Sequence, residues 1–309
     1  MTRVQPEGIV VLGAPRSGTT LVRRLLDAHP DICCPPETNL LVSAARFIAE
    51  DRTAGGVGVG VLSGLGFSGI APEETLQRLR EFVFGFLREI ADRAGCTLWA
   101  EKTAFAAFHL DAIQKLCQDQ VRYVLVTRHP LDCISSQKEL ADKMEIYLPE
   151  FHALIRNHRS PYVGLAEGWA RVNRDILTLA ADRPDSSILV RYEDLVSRPE
   201  DTLTRIFSFL ERPTDVQQLV AESFKSSEEV GLGDWKTYAT KQIHEHSIGR
   251  WQKLSWETIR SIVPIVAKLA AELNHELPDI GEELDEEEAR HRFQLSLMAA
   301  QMRADMREK

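Results

Sequence analysis

The pattern of apolar and polar residues divides the chain into short buried strands that alternate with helices. Strand-like runs, rich in β-branched residues and each followed by a polar turn, lie at residues 8–13, 121–126 and 187–190. Apolar residues recur at helical spacing in residues 19–28, 162–181 and 200–210. Strands that alternate with helices predict an α/β fold, a mostly parallel sheet covered by helices on both faces.

A glycine-rich segment, residues 54–70, interrupts this alternation. It contains seven glycines and no charged residue. Because glycine loses more backbone freedom than other residues when a helix or strand forms, this composition predicts a mobile loop or a lid.

The C-terminal residues also depart from the alternation. An acidic cluster is followed by an amphipathic stretch in which Met298, Met302 and Met306 share one helical face. Acidic residues favour a helix N-terminus, so we predict a helix that either docks on its own domain or binds a partner, such as a second copy in a homodimer. The predicted division is a domain at residues 1–280 and a helical tail at residues 281–309.

Composition and charge narrow the class of protein. The chain has 309 residues, of which 44% are apolar and 27% charged, as expected for a globular protein. Its 37 Lys and Arg against 46 Asp and Glu give a net charge of −9, which argues against a general nucleic-acid binder and requires a local pocket for any anionic ligand. There is no apolar run of membrane-spanning length and no secretory pattern at the start. The five cysteines form no C-x-x-C pair, so a cytoplasmic protein with reduced thiols and no metal site is expected.

The clearest chemical signal is the anion loop, residues 13–20, which joins the first strand to the first helix. Backbone N–H groups and the positive end of the helix dipole converge there, so the loop is suited to an oxyanion. Its two glycines have the spacing of the nucleotide-triphosphate loop, but Thr19 stands where that loop has lysine. The cation is Arg16 instead, within the loop. This argues against a kinase or other P-loop nucleotide-binding protein, which is kept as the alternative of another class.

A second signal follows the next predicted strand. Arg128 lies at the carboxyl end of that strand, where open parallel sheets bind ligands. Pro130 suits the first turn of a helix, which puts Ser136 about two turns in. Arg128 and Ser136 could together hold a second phosphate group.

The two signals together resemble the anchors of sulfotransferases, which use 3′-phosphoadenosine 5′-phosphosulfate as donor. The shared patterns are P-R-S-G-T-T-L and R-H-P-x-D-x(3)-S, and the resemblance extends from about Ile9 to Trp251. It implies the sulfotransferase fold, with a P-loop-like parallel sheet. It also implies that the 5′-phosphosulfate is held by Arg16, Ser17, Gly18, Thr19 and Thr20, and the 3′-phosphate by Arg128 and Ser136.

The resemblance implies further donor contacts. Tyr192 would lie near the adenine, and the stretch from 231 to 250 would close over the nucleotide through Trp235 and Lys236. One lysine of the tyrosylprotein enzymes has no counterpart here, and Lys241 and Arg250 are the two options for replacing it.

The catalytic groups are expected on two segments beside the anion loop. Pro35-Pro36-Glu37-Thr38 is similar to the stretch that carries a catalytic glutamate in tyrosylprotein and polyketide-associated sulfotransferases, so Glu37 is the expected general base. His109 is the second choice, because many cytosolic sulfotransferases use a histidine. Lys102 belongs to an E-K-[ST] segment like that of glycan sulfotransferases, and with Arg16 would stabilise charge on the leaving oxygen. The alternative for Lys102 is a surface lysine paired with Glu101.

The resulting hypothesis is a sulfotransferase of one α/β domain with a C-terminal amphipathic helix. It would transfer a sulfuryl group to a hydroxyl, or as the second choice an amine, of a small molecule such as a secondary metabolite. Residues 139–168 are the expected acceptor wall. A peptide tyrosine and a glycan are the alternative acceptors.

Overall fold

The computed structural model describes residues 6–56, 58–143, 149–225 and 242–281, together with 290, 293, 294 and 298. By its internal contacts the chain divides into two compact units, Met1–Glu276 and Leu277–Lys309. The acidic cluster, Met302 and Met306 lie outside the described residues, so the tail helix and the boundary at residue 280 stay predictions.

Seven strands are present in the described part of the chain. They are β1 (Gly8–Gly13), β2 (Ile32–Cys33), β3 (Asp51–Arg52), β4 (Gly58–Val59), β5 (Leu98–Glu101), β6 (Val121–Thr127) and β7 (Ser187–Arg191). Five of them form one sheet in the order β2-β5-β1-β6-β7, in which every neighbouring pair is parallel. This confirms the predicted parallel sheet.

Helices connect the strands, as the alternating pattern predicts. The α-helices are α1 (Thr19–Asp27), α2 (Leu40–Phe47), α3 (Val61–Phe67), α4 (Pro72–Arg93), α5 (Leu110–Cys117), α6 (Pro130–Lys143), α7 (Pro149–Ile155), α8 (Pro161–Asp182), α9 (Tyr192–Ser197), α10 (Pro199–Phe209), α11 (Val216–Ser223) and α12 (Trp256–Glu272). Two short 3₁₀ helices are Ala104–His109 and Arg250–Lys253. No helix in the described ranges is long and apolar enough to cross a membrane.

The centre of the sheet is buried on both faces. All six residues of β1 and all seven of β6 are buried, because helices cover both sides of these strands. Continuous apolar runs, rather than alternating ones, are the sequence signal of such strands. The core is therefore built around β1 and β6, the two strands that lead into the predicted anchors.

The glycine-rich segment differs from the loop predicted for it. Apart from Val57, which is outside the described residues, it contains strand β4 of a β3–β4 hairpin and helix α3. Ser63 supports the start of α3, because its hydroxyl accepts a hydrogen bond from the Gly60 N–H at 3.0 Å. Its own N–H donates to Glu50 Oε1 at 2.9 Å. Side chains that flank the glycines thus provide the order that glycine itself does not favour.

The register of the sheet brings the candidate residues to one edge. Gly13 of β1 lies beside Val126 of β6, and Thr127 of β6 lies beside Arg191 of β7. The carboxyl ends of these strands therefore meet, and the segments that follow them carry the anion loop, Arg128 and Tyr192.

Candidate active site

The backbone of the anion loop has two residues in the left-handed conformation. Arg16 and Gly18 both have positive φ, 72° and 100°. At Gly18 a Cβ would collide with the Tyr192 ring, so glycine is required there for space as well as for conformation. The Ser17 N–H donates back to the Ala14 carbonyl at 2.9 Å, which closes the turn before α1.

Helix α6 holds the loop from the other side. The Pro15 carbonyl accepts hydrogen bonds from Gln137 Nε2 at 2.8 Å and from the Cys133 thiol at 3.2 Å. Both side chains are buried, and they lie one turn apart on α6. Sequence reasoning did not find this support, because a glutamine inside a helix carries no pattern that distinguishes it.

Arg16, Ser136 and Arg128 form one hydrogen-bonded cluster. Arg16 Nε donates to Ser136 Oγ at 3.0 Å, and Arg128 Nη1 donates to the Arg16 carbonyl at 2.9 Å. The Arg128 guanidinium also lies 4.6 Å from the centre of the Tyr192 ring. The two predicted phosphate anchors, far apart in sequence, are therefore adjacent in space.

Two buried polar atoms, one in this cluster and one next to it in the anion loop, have no hydrogen-bond partner among the described residues. They are Ser17 Oγ and Arg128 Nε. A buried donor without a partner is costly, and the oxyanion groups of a bound ligand would supply acceptors for such donors. The residues present therefore fit a phosphate or phosphosulfate group.

Arg250 is positioned by a carboxylate whose role the sequence did not reveal. Asp132 on α6 is 2% exposed and accepts from the N–H groups of Gly249 at 2.8 Å and Trp251 at 2.9 Å. Arg250, between them, donates from Nη2 to Glu139 Oε2 at 3.1 Å. The aspartate of R-H-P-x-D thus ties α6 to the segment that carries Arg250.

The segment before Gly249 also contacts the cluster, because Arg128 Nη2 donates to the Ser247 carbonyl at 2.5 Å. The other predicted donor contacts are not described by the structure. Trp235, Lys236 and Lys241 lie outside the described residues. They remain predictions.

Glu37 and Lys102 form an ion pair beside the anion loop. Lys102 Nζ contacts Glu37 Oε1 and also donates to Thr20 Oγ1 at 3.1 Å. The Lys102 side chain is 2% exposed and that of Glu37 is 10% exposed. The alternative of a surface lysine paired with Glu101 is wrong, because Lys102 is buried and its ion-pair partner is Glu37.

Glu101 is a buried carboxyl next to this pair. It accepts hydrogen bonds at Oε1 from the hydroxyls of Thr103 at 2.6 Å and Thr38 at 3.1 Å. Burial raises the pKa of Glu101 to about 7, although the two threonine hydroxyls oppose the shift. The carboxyl therefore changes its protonation state near neutral pH.

His109 belongs to a different group of charged side chains. Its Nε2 lies 3.0 Å from Glu150 Oε1, which Arg46 contacts from Nη2 at 2.5 Å. Burial alone would raise the pKa of Glu150, but hydrogen bonds from His109 and Arg46 outweigh it and lower the pKa to about 2.

This group has its own hydrogen bonds, and one of its members lines a cavity. His109 faces a cavity of about 820 Å³ that α2, α5 and α8 help to line. Within the described residues, no hydrogen bond or ion pair joins His109 to Glu37, Lys102 or the anion loop. The structure therefore joins Glu37 and Lys102 to the anion loop through Thr20, whereas the hydrogen bond of His109 is to Glu150.

Comparison with known proteins identifies the family. A family model described as "Sulfotransferase family" matches residues 6–216, more than half of the chain. The chain belongs to this family and is therefore a sulfotransferase, as its loop patterns predicted.

Named relatives and solved structures agree with that assignment. The chain is 29% identical to a putative protein-tyrosine sulfotransferase of Caenorhabditis briggsae, over 88% of this chain and 91% of that protein. It is 26% identical to the nodulation protein NoeE of Sinorhizobium fredii, over 86% of this chain and 65% of that protein. Its fold matches the sulfotransferase domain of the Synechococcus PCC 7002 olefin synthase, with a TM-score of 0.61 and 23% identity over 90% of this chain and 98% of that domain.

Proposed function

We propose that this sulfotransferase moves a sulfuryl group from 3′-phosphoadenosine 5′-phosphosulfate to a hydroxyl of a small-molecule acceptor, with Glu37 as general base. The observation that carries the proposal is the contact of Glu37 with Lys102, which also bonds Thr20 of the anion loop. A base, a cation and an anion-binding backbone therefore meet at one point, which is what an in-line transfer between oxygen atoms requires.

The donor would be held at two places. The anion loop, with Arg16, would bind the 5′-phosphosulfate, and Arg128 with Ser136 would bind the 3′-phosphate. The unpartnered Ser17 Oγ and Arg128 Nε support this assignment, because each is a buried donor in need of an acceptor.

The remaining donor contacts, including the one to the adenine ring, are proposed on fewer observations. Tyr192 would contact the adenine, since its ring already packs against Gly18 and the Arg128 guanidinium. Arg250 would exchange its bond to Glu139 for a phosphate oxygen. Trp235 and Lys236 remain proposed contacts from outside the described residues.

The proposed reaction requires a group that accepts the hydroxyl proton and cations that stabilise the leaving oxygen. The acceptor oxygen bonds to sulfur as the bond from sulfur to the bridging phosphate oxygen breaks, and Glu37 takes the hydroxyl proton. Charge then develops on the bridging oxygen, where the ammonium of Lys102 and the guanidinium of Arg16 are the cations available to stabilise it. Lys102 is bonded to Glu37 before the reaction, so its position also controls how freely Glu37 accepts a proton.

The acceptor is proposed as a small molecule, and peptide tyrosine is the second candidate. Within the proposed acceptor wall, residues 139–168, Tyr162 is partly exposed, whereas Phe151 is buried against Phe105. Met144 and Tyr147 lie outside the described residues. Peptide tyrosine is favoured by the name of the Caenorhabditis briggsae relative, which covers most of the chain.

Calorimetric titration tests the donor site. Adenosine 3′,5′-bisphosphate should bind tightly and ATP with magnesium should not. Binding of ATP alone would support the P-loop nucleotide-binding alternative and remove the sulfotransfer proposal.

A competition assay then tests the acceptor. The protein is supplied with donor and with equal amounts of small phenols, aliphatic alcohols and a tyrosine peptide of acidic sequence, and mass spectrometry measures the gain of a sulfuryl group. Preference for the peptide would replace the small-molecule assignment with the tyrosine one.

A further inference from the structure

Two consecutive residues of one segment meet two consecutive residues of another at the reaction centre. Glu37 contacts Lys102, and the next residue, Thr38, donates a hydrogen bond to Glu101. The segment before α2 is therefore joined to the end of β5 by two adjacent side-chain contacts. Only the first of these involves a proposed catalytic group.

The Thr38 hydroxyl links Glu101 to the backbone of its own turn. Its hydroxyl donates to Glu101 Oε1 at 3.1 Å and accepts from the Leu40 N–H at 3.2 Å. Between them Asn39 has a φ of 59°, the left-handed conformation that asparagine adopts more readily than other non-glycine residues. The turn that carries Glu37 is thus tied to Glu101 through one hydroxyl.

Glu101 is unusual as a purely structural residue. It is 1% exposed, its Oε1 accepts two hydroxyl groups, and its Oε2 has no hydrogen-bond partner among the described residues. A buried carboxyl with one oxygen unsatisfied is costly, and an apolar side chain of similar size would fill the same space at lower cost. What an apolar side chain would not supply is the acceptor for Thr38.

We infer that Glu101 is a positioning residue that holds Glu37 against Lys102 by accepting the Thr38 hydroxyl. This inference rests on the proposed function, because it takes Glu37 as the base. Glu101 touches neither Glu37 nor Lys102 through a hydrogen bond, and it acts through Thr38 and the turn. Its removal therefore lowers turnover and leaves donor binding unchanged.

Four titratable groups surround Glu101 and bear on any pH readout. Glu37 and Lys102 act on it through their charges, and the thiols of Cys34 on the segment after β2 and Cys117 on α5 lie near it. Burial raises the pKa of both thiols, that of Cys117 to about 12, so both stay neutral near pH 7.

The test compares Glu101→Leu with Glu101→Gln. Leucine removes the acceptor, whereas glutamine keeps an oxygen that Thr38 can reach. For Glu101→Leu we expect turnover to fall about 10- to 100-fold, because a small displacement of the base has an effect of this size, with an unchanged Kd for adenosine 3′,5′-bisphosphate. The loss in Glu101→Gln should be clearly smaller.

A second readout does not depend on activity. The Leu40 amide keeps its own acceptor, Thr38 Oγ1, in both variants. If Glu101 holds that hydroxyl in place, hydrogen exchange at Leu40 should be about three- to tenfold faster in Glu101→Leu than in the natural protein, and close to natural in Glu101→Gln.

The outcomes separate this inference from the proposed function. Unchanged exchange at Leu40 in Glu101→Leu, or a loss of bisphosphate binding that matches the loss of turnover, overturns the inference. If Leu40 exchanges faster in Glu101→Leu but the natural protein itself transfers no sulfuryl group, Glu101 still holds the turn and the proposed function is overturned. If Glu101→Leu does not fold, Thr38→Val and Thr38→Ser provide the comparison, and equal turnover in those two variants overturns the inference.

Discussion

Two groups of charged side chains in this molecule have the composition of a catalytic site, and they differ in what surrounds them. The first joins Glu37 to Lys102 and Thr20, and the second joins Glu150 to His109 and Arg46. Only the first touches the anion loop. A carboxylate with a basic partner therefore occurs twice, and the contact of Lys102 with Thr20 of the anion loop distinguishes the first pair from the second.

The protonation of the buried carboxyls differs between the two regions in the same way. Burial dominates at Glu101, beside the first group, and raises its pKa to about 7. At Glu150, in the second group, hydrogen bonds from His109 and Arg46 outweigh burial and lower the pKa to about 2. The Glu101 carboxyl therefore changes protonation state near neutral pH, whereas the Glu150 carboxyl stays ionised there, which fits a structural ion pair with Arg46.

The largest effect is expected from a substitution in the first group. Glu37→Gln keeps the size of the side chain and removes its ability to accept a proton, so turnover should fall about 10²- to 10⁴-fold. The Kd for adenosine 3′,5′-bisphosphate should change little, because the base does not hold the nucleotide. Single-turnover sulfuryl transfer and calorimetry measure the two quantities, and an equal loss in both would make Glu37 structural.

The next effect concerns stability and pH. Glu101 binds its proton more tightly in the folded state, with a pKa of about 7 against 4.5 for an unperturbed carboxyl. The folded state is therefore favoured by this proton below pH 4.5, and that contribution is lost as the pH rises through 7. The free energy of unfolding of the natural protein, relative to Glu101→Gln, should therefore fall by about 3 kcal/mol as the pH rises from 4.5 to 7. Urea unfolding at both pH values measures it, and a constant difference would show that burial does not perturb this carboxyl.

The opposite trend is expected for the second group. Glu150 is held ionised in the folded state, so it stabilises the protein above pH 4.5, and this contribution is lost as the pH falls towards 2. Glu150→Gln should lower the free energy of unfolding at pH 7 and have little effect near pH 2. A variant that is equally destabilised at both pH values would argue for lost packing instead.

A smaller effect tests the donor anchor. Arg128→Ala should weaken adenosine 3′,5′-bisphosphate about 10- to 100-fold, the value of hydrogen bonds to a charged group, and weaken its 3′-hydroxyl analogue much less. The loss of the Tyr192 and Ser247 contacts should affect both nucleotides equally. Calorimetry with the two nucleotides separates these contributions, and equal weakening would contradict a 3′-phosphate site at Arg128.

The smallest effect is expected at His109. If the second group is structural, His109→Gln should change turnover by less than about threefold, since a residue that neither touches the reacting atoms nor positions them contributes little to the barrier. Measured beside Glu37→Gln, it compares the two candidate bases directly. A loss at His109 that equals the loss at Glu37 would break the comparison from which these expectations come.

Much of the fold and of the predicted donor site could be predicted from local sequence. The strand, loop and helix around Gly13, and Arg128 with Ser136 on the next such unit, are local patterns, because backbone geometry and helix dipoles depend on neighbours in the chain. The helix at the glycine-rich segment was missed for the same reason. There the order comes from Ser63 and Glu50, which the composition of the glycines does not reveal.

The sequence by itself determined the parallel α/β architecture, the anion loop and the family. Only the tertiary structure placed Glu37, and not His109, in contact with Lys102. It also showed that Lys102 is buried and revealed the hydrogen bonds of Asp132, Gln137 and Thr38. Glu37 and Lys102 are 65 residues apart, so no local pattern reports their contact. The physical reason is that a motif defines what one segment can bind, whereas a charge in the interior acts according to the groups that packing places around it.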